Sequence, residues 1–287
     1  MNFSTYLRFV EINPTELCNL KCTFCPRAFD YPNQNLHMSL ETAEKIRSNL
    51  DGINFTKRVG FAGRGEPTLT KNFVEILRIF TENNPKFSIQ VTTNGKRLDE
   101  LEEFFDHSNL YFHYDVYDTD ENVFIEETQR YASVKNIRFL WRPDDGRTYE
   151  THSRASVNGL KVLRHESRGS STQGFTNRGG ALGDNKFTII DKGCAKLIYN
   201  MFIDWNGNYN LCCDDWNPLV LGNIFEESIE DFINHNETLS YYRKQHFCNN
   251  TRDGLPACQT CNRIAPPPRD DLNTVQQIIK MDEIVND

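Results

Sequence analysis

The run ELCNLKCTFCPR, residues 16–27, sets Cys18, Cys22 and Cys25 as C-x3-C-x2-C. Three thiolates on one short loop can wrap one face of a metal cluster, and soft sulfur donors suit iron–sulfur chemistry. A zinc ion would ask for a fourth ligand close by. A β-rich stretch, Tyr6–Ile12, runs directly into this loop, so the cysteines leave the end of a first strand. A triad that leaves one iron without a protein ligand is what a catalytic cluster needs in order to bind a substrate or cosubstrate directly.

Outward from that loop, up to about residue 141, β-rich runs alternate with helical ones, which is the pattern of βα units on a parallel sheet. Strands are expected at Tyr6–Ile12, Lys57–Phe61, Phe87–Thr92, Leu110–Val116 and Asn136–Trp141. Helices are expected at Leu40–Leu50, with Ser39 as N-cap, at Asn72–Thr81, with Phe73, Ile76, Leu77 and Phe80 on one stripe, at Leu98–Phe105 and at Asp120–Tyr131. The rhythm predicts an α/β fold, a partial (βα)6 TIM-like barrel, with the active site at the C-terminal ends of its strands. Residues 142–186 read as a long loop region holding the sixth strand. In IDWNGNYNL, Asn206-Gly207 stands between two alternating runs and predicts a β-hairpin with a type I′ turn. A helix over Glu226–Leu239 follows, and TVQQIIKMDEIV near the C-terminus reads as a docking helix. The implied domains are 1–186, 187–265 and a C-terminal tail, 266–287.

Composition narrows the class. Of 287 residues, 38% are hydrophobic, enough for a substantial core, and 32 Lys plus Arg against 40 Asp plus Glu give a net charge of −8. An acidic chain offers no general basic face to nucleic acid or anionic lipid. No apolar run approaches the roughly 20 residues of a membrane helix, and the N-terminus lacks a secretory layout, so a cytoplasmic protein without nucleic-acid or membrane partners is expected. In that reducing compartment nine cysteines, an odd number, read as metal-binding or chemical rather than disulfide-bonded.

With its order of motifs on successive strand ends, the chain closely resembles the radical S-adenosylmethionine (SAM) superfamily. By that resemblance Cys18, Cys22 and Cys25 hold a [4Fe-4S] cluster whose open iron chelates SAM. Phe24 then takes the place beside the adenine. Gly63-Arg64-Gly65-Glu66-Pro67 looks like the family's GGEP motif, with Arg64 in place of a glycine. Its glycines let the backbone approach the methionine end of SAM, and Glu66 takes the ammonium. Thr92-Thr93-Asn94-Gly95 ends the third strand as TTNG, and Asp115 ends the fourth, where ribose contacts arise.

A second constellation, Cys194, Cys212, Cys258 and Cys261, has the spacing C-x12-G-x4-C followed after 45 residues by C-x2-C. It is similar to the SPASM or shorter twitch auxiliary domains of the superfamily, and four ligands imply the one-cluster form with a second [4Fe-4S] cluster. A zinc site of four cysteines fits the same spacing. Cys213 is the alternative ligand to Cys212, or a catalytic thiol returning a hydrogen atom to a substrate radical, or a buried small side chain. Cys248 reads as a bystander, and His37, His113 and His152 as packing or surface residues.

Residues 138–186 hold nine Lys or Arg and five Asp or Glu. In FTNRGG, Arg178 lies sixteen residues before Cys194, at the junction of the two units, where a guanidinium can grip a carboxylate, phosphate or hydroxyl cluster, whether of SAM, of the substrate or of both in turn. The first barrel strand comes at the start of the sequence, so no leader-binding domain ahead of it is expected. A small sugar- or aminocyclitol-like substrate is therefore expected, oxidised or epimerised after hydrogen abstraction, with an electron donor such as flavodoxin or ferredoxin. The alternatives are a radical SAM peptide maturase and a noncatalytic zinc-binding interaction protein.

Overall fold

The computed structural model describes residues 2–22, 25–83, 85–118, 120–141, 149–157, 160–167, 178–179, 181–182 and 191–263, with backbone alone across the strands of 149–167. The expected docking helix of the tail and much of the 142–186 region lie outside the described residues.

Five parallel strands come first: β1 (Phe9–Ile12), β2 (Arg58–Phe61), β3 (Ser88–Thr93), β4 (Leu110–Val116) and β5 (Ile137–Trp141). Three α-helices follow β1, β2 and β4: α1 (Leu40–Gly52), α2 (Phe73–Thr81) and α3 (Glu121–Arg130). Ser39 starts α1 as its sequence position implies, its Oγ accepting the Thr42 N–H at 3.0 Å. Ala43, Ile46 and Leu50 of α1, and Phe73, Ile76, Leu77 and Phe80 of α2, are buried on the stripes that face the sheet. Phe61 of β2 meets both Phe73 and Phe80 edge-on, with ring centroids 5.6 and 5.0 Å away. Each such buried ring contributes about 1.5–3 kcal/mol by leaving water.

Three expectations need correction. Leu98–Phe104 is 3-10 helical, with a kink at Leu101, rather than α-helical. Its buried residues Leu98, Leu101 and Phe104 recur every third position, which is the period of a 3-10 turn. The expected helix over Glu226–Leu239 is two helices, Ile229–His235 and Glu237–Lys244. Asn236 ends the first and caps the second, accepting the Leu239 N–H at 2.9 Å. The 142–186 region holds the sixth strand as expected: it contains a hairpin, β6 (Tyr149–Val157) and β7 (Leu160–Ser167), whose second arm pairs parallel with β5. The turn at Asn206-Gly207 is not type I′, because only Gly207 has positive φ, at +79°. Gly207 N–H donates to Asp204 O at 2.9 Å and Asp204 N–H to Asn208 O at 3.1 Å, a type I turn closed by a left-handed glycine.

That turn joins β8 (Asn200–Ile203) to β9 (Asn208–Asn210), after a single helical turn, α4 (Lys196–Tyr199). Then come β10 (Val220–Asn223), the two helices α5 (Ile229–His235) and α6 (Glu237–Lys244), and the short α7 (Pro256–Gln259). β8 lies parallel beside β1, Phe9 opposite Asn200 through Ile12 opposite Ile203. One sheet therefore runs β10-β9-β8-β1-β2-β3-β4-β5-β7-β6. Chain expected to form the small C-terminal unit is bonded directly to the first barrel strand. No described helix is long and apolar enough to cross a membrane.

Candidate active site and cluster cavity

The loops leaving β1 and β2 are fastened to each other from within. Asn13, fully buried, accepts the N–H groups of Arg64 and Gly65 on Oδ1, at 3.0 and 3.2 Å, and donates from Nδ2 to Glu16 at 2.9 Å. Gly63 has φ +118°, and a Cβ there would stand 2.7 Å from Asn13 Oδ1; one on Gly65 would stand 2.1 Å from the Thr15 carbonyl. Both glycines of GRGEP are thus required by the protein's own loop packing, a use beyond the expected approach to SAM.

Arg64, the departure from the family pattern, turns inward. Its Nε donates to Glu16 Oε1 at 2.8 Å, its other nitrogens reach the Asp215 carbonyl at 3.5 Å and Asp204 at 3.9 Å, and its guanidinium lies 5.3 Å over the Phe202 ring. Arg27, from the cysteine loop itself, donates to the carbonyls of Arg64 (2.8 Å), Pro32 (2.7 Å) and Glu16 (2.7 Å) and pairs with Glu16 Oε2 at 3.4 Å. Tyr31 packs edge-on against Trp216, 4.8 Å between centroids. The cysteine loop, the GRGEP turn and the C-terminal segment are one polar assembly centred on Glu16.

Cys18, Cys22 and Cys25 are half-buried on this loop, none of them in a disulfide. Asn33 brackets Cys18 by accepting its N–H at 2.9 Å and donating to its carbonyl at 3.0 Å, and the Cys25 N–H closes on the Cys22 carbonyl at 2.9 Å. Burial pushes the Cys18 thiol above its ordinary range. Phe24 lies outside the described residues.

Glu66 is buried beside them. Its Oε1 accepts from Thr93 Oγ1 (2.6 Å), Thr68 Oγ1 (2.8 Å) and Thr68 N–H (3.2 Å), while Oε2 accepts the Asn94 N–H at 2.8 Å. Burial raises its pKa, and these donors pull the other way without reversing it. Pro67 opens the short turn that Glu66 caps. Asn94 also donates to Asn19 of the cysteine loop at 2.7 Å, so TTNG is tied to that loop. Gly95, φ +76°, leaves room for Tyr114, whose ring a Cβ would meet at 2.0 Å. Asp115 is buried at the end of β4 and accepts from Tyr117 OH at 3.1 Å. The expected SAM-facing residues Gly63, Gly65, Glu66, Pro67, Thr93 and Asn94 are gathered here, with much of their polar capacity spent on one another.

Cys194, Cys212, Cys258 and Cys261 line a single pocket, partly open to solvent, together with Gly179, Lys196, Leu197, Leu211, Asp214, Asp215, His246, Arg252 and Arg263. Cys213 is not among its lining residues. Among the described residues, the only His, Cys, Asp or Glu group drawn within 4.8 Å is Cys212, Cys213 and Asp214, so the four lining thiols stand farther apart than four ligands on one zinc ion would. Arg252, buried, clamps the cavity by donating to the carbonyls of Lys192 (2.8 Å), Cys261 and Arg263. Burial drives the Cys258 thiol up to about 12, so the thiolate form needs a metal's charge to stabilise it.

Between cavity and barrel lies Asp214. Burial works to raise its carboxyl, but Lys196, Arg178 and Arg263 outweigh it and hold it well below the usual range. Lys196 Nζ donates to Asp214 Oδ2 (2.5 Å) and to Cys213 Sγ (3.0 Å). Cys213 in turn contacts Glu11 of β1, whose carboxyl is raised by burial first and by Cys213 next. Arg178, φ +51°, pairs with Asp214 at 3.6 Å and keeps 31% of its side chain exposed. Asn13, Glu16, Arg27, Lys196, Asp214, His246 and Arg252 were not legible as site residues. Arg27 and Asp214 stand one or two residues from a cysteine of interest, which is the signal that was there to find.

Comparison with known proteins agrees with this layout. The family model of the radical SAM superfamily matches residues 12–162, and that of an iron–sulfur cluster-binding domain, SPASM, matches residues 194–262. An S-adenosyl-L-methionine-dependent 2-deoxy-scyllo-inosamine dehydrogenase of Niallia circulans is 25% identical over 264 residues, covering 89% of this chain and 93% of that protein. A GTP 3′,8-cyclase of Pectobacterium atrosepticum is 31% identical over 99 residues, 33% of this chain and 30% of its own. In fold, the crystal structure of BtrN in complex with AdoMet and 2-DOIA superposes with a TM-score of 0.66 at 22% identity, covering 90% of this chain and 94% of that one. Streptococcus suis SuiB bound to precursor peptide SuiA gives 0.58 at 14% identity, covering 91% and 72%.

Proposed function

Because the chain belongs to the radical SAM superfamily and carries an iron–sulfur cluster-binding domain after its barrel, we propose that it is a two-cluster oxidoreductase that dehydrogenates a hydroxyl-bearing small molecule of the aminocyclitol or sugar class. The observation that carries this reading is the near end-to-end similarity to an aminocyclitol dehydrogenase, on a chain whose second cysteine set lines one cavity.

The first cluster would supply the electron for reductive cleavage of SAM, whose adenosyl fragment takes one hydrogen atom from the substrate, and the second would supply an acceptor for the remaining electron as the substrate's hydroxyl proton leaves to solvent. Cys18, Cys22 and Cys25 would hold the first group, and Cys194, Cys212, Cys258 and Cys261 the second. Glu66 has a lone pair free on Oε2 beyond the Asn94 bond, which suits it to accept the SAM ammonium. Gly63, Gly65, Pro67, Thr93, Asn94 and Asp115 shape the remainder of the SAM site, and Phe24 is assigned beside the adenine by its place in the motif. Arg178 is proposed to grip the substrate's polar groups: Asp214 neutralises it only in part, and its buried Nε has no hydrogen-bond partner among the described residues. Cys213 is held by Lys196 and by the neighbouring Cys212 thiol, an anchored setting that favours a structural thiol over a mobile hydrogen donor. A flavodoxin or ferredoxin would deliver the single electron that starts each turnover.

The test is anaerobic reconstitution, counting of iron and sulfide, then turnover with SAM, dithionite and a panel of aminocyclitols and sugars, followed by mass spectrometry. The expected result is iron for two [4Fe-4S] clusters, 5′-deoxyadenosine, and a product two hydrogens lighter than its substrate. Two zinc atoms without absorbance near 400 nm, or turnover of a peptide and of no cyclitol, would reject the proposal.

A further inference from the structure

His246 is 3% exposed and sits in a π-helical turn, Gln245–Asn249, at the wall of the four-cysteine cavity. Such π-turns are frequent at functional sites. The backbone there is closely fitted: Gly193 lies so near that a Cβ on it would stand 1.9 Å from the His246 carbonyl. The ring's Nδ1 receives the backbone N–H of Cys194 at 3.1 Å. A backbone N–H can only donate, so Nδ1 carries the lone pair and the ring proton is on Nε2.

That Nε2–H is buried and has no hydrogen-bond partner among the described residues. An unsatisfied buried donor is costly, and native structures seldom tolerate one. The cavity that His246 lines is where the second cluster is proposed to bind, and cluster sulfur is a hydrogen-bond acceptor. A protonated Nε2 is also unable to ligate iron, which leaves the four cysteines as the ligand set. On the proposed auxiliary-cluster reading, we infer that His246 Nε2–H donates a hydrogen bond to a sulfur of that cluster and raises its reduction potential. The physical reason is that each added electron increases the negative charge on sulfur, so a fixed donor stabilises the reduced form more than the oxidised one. His246 is in this sense a positioning and tuning residue: it holds the Cys194 backbone with one nitrogen and the cluster with the other.

The experiment uses the full chain with Cys18→Ala, Cys22→Ala and Cys25→Ala, so that only the second cluster forms, and compares His246 with His246→Asn and His246→Gln. The Asn amide oxygen stands where Nδ1 stands and keeps the Cys194 contact while losing the distal donor; the Gln amide reaches the Nε2 place and keeps the donor. Redox titration followed by electron paramagnetic resonance is expected to show a lower midpoint for the Asn variant, a tenfold change in the reduction equilibrium reading as about 59 mV for one electron, and a midpoint near that of histidine for Gln. Pulsed resonance after exchange into D2O is expected to show a deuteron coupled to the reduced cluster with His246 and with Gln, and its loss with Asn.

An unchanged midpoint in the Asn variant, or the reverse order with Gln shifted and Asn not, would overturn the inference and leave His246 as a cap for Cys194 alone. Absence of the deuteron coupling in the His246 protein, which needs no substitution at that position, would overturn it as well. If the triple-alanine background binds no iron, the auxiliary-cluster reading itself fails and takes the inference with it, an outcome distinct from an intact cluster whose potential ignores His246.

Discussion

Glu16→Gln should unfasten the cysteine loop while leaving every cysteine in place. Glu16 is 4% exposed and is the shared anion of two guanidiniums that are themselves 5% and 3% exposed, Arg27 and Arg64. It also accepts from Asn13 and from Tyr31 OH, at 2.9 and 3.4 Å. Glutamine matches its shape but keeps one acceptor oxygen and turns an amide NH2 toward cationic donors. Breaking a buried ion pair from one side costs about 3–5 kcal/mol, because the partner charge stays buried. Arg27 keeps three carbonyls and Arg64 keeps the Asp215 carbonyl and the more distant Asp204, so the lower end, about 3 kcal/mol, is expected. At about 1.4 kcal/mol per factor of ten, loops released from each other become about a hundred times more populated. Urea unfolding of the metal-free protein reads the first effect, and the rate at which a chelator strips iron from the Cys18/Cys22/Cys25 site reads the second. A Gln variant within about 0.5 kcal/mol of the parent, stripped at the same rate, would refute the claim that Glu16 holds the site together.

Replacing Cys258 and Cys261 by alanine should leave the iron of one cluster and some formation of 5′-deoxyadenosine from SAM, since the other three cysteines are on a separate loop; a folded variant with its full iron content has a different ligand set. Replacing Cys18, Cys22 or Cys25 singly should abolish that cleavage, and undiminished cleavage in any one of them defeats the assignment. Gly95→Ala should cost about 1–3 kcal/mol in thermal or urea unfolding, because alanine is strained at φ +76° and its Cβ meets Tyr114; an unchanged midpoint would show that β4 yields easily there. For oxidation, turnover in D2O by Cys213→Ala should still give a product two hydrogens lighter, whereas a redox-neutral product carrying deuterium in the parent and lost in the variant would make Cys213 a hydrogen donor.

The reading of residues 1–141 from periodicity came close because local rules and burial agree there: Ser39 caps what it was expected to cap, and the Phe73, Ile76, Leu77, Phe80 stripe is the buried one. Where they diverged, a local feature with two outcomes was resolved by neighbours. Asn206-Gly207 serves either a type I′ turn or a type I turn with a left-handed glycine, and Asp204, which accepts the N–H groups of Asn206 and Asn208 at 2.9 and 3.1 Å, selects the second. Asn236 is an ordinary mid-helix residue in sequence and a double cap in the fold.

The order of motifs on successive strand ends pointed to the superfamily, and the Cys18, Cys22, Cys25 set could be read as a metal site because it lies on one loop set by a few covalent bonds; the second set, spread from Cys194 to Cys261, is brought to one pocket only by the fold. What holds those ligands is a matter of tertiary structure. Glu16, Arg27 and Arg64 become one buried network only when the loops after β1 and β2 meet; Arg252 reaches from residue 252 to carbonyls on both sides of the cavity; and His246 acquires a defined tautomer only because Cys194, 52 residues earlier, presents its backbone N–H. Charged and imidazole side chains carry no periodic signature, so their partners, and with them their chemistry, were decided by how the loops after β1 and β2 meet and how the segment from residue 191 packs, rather than by any stretch of sequence.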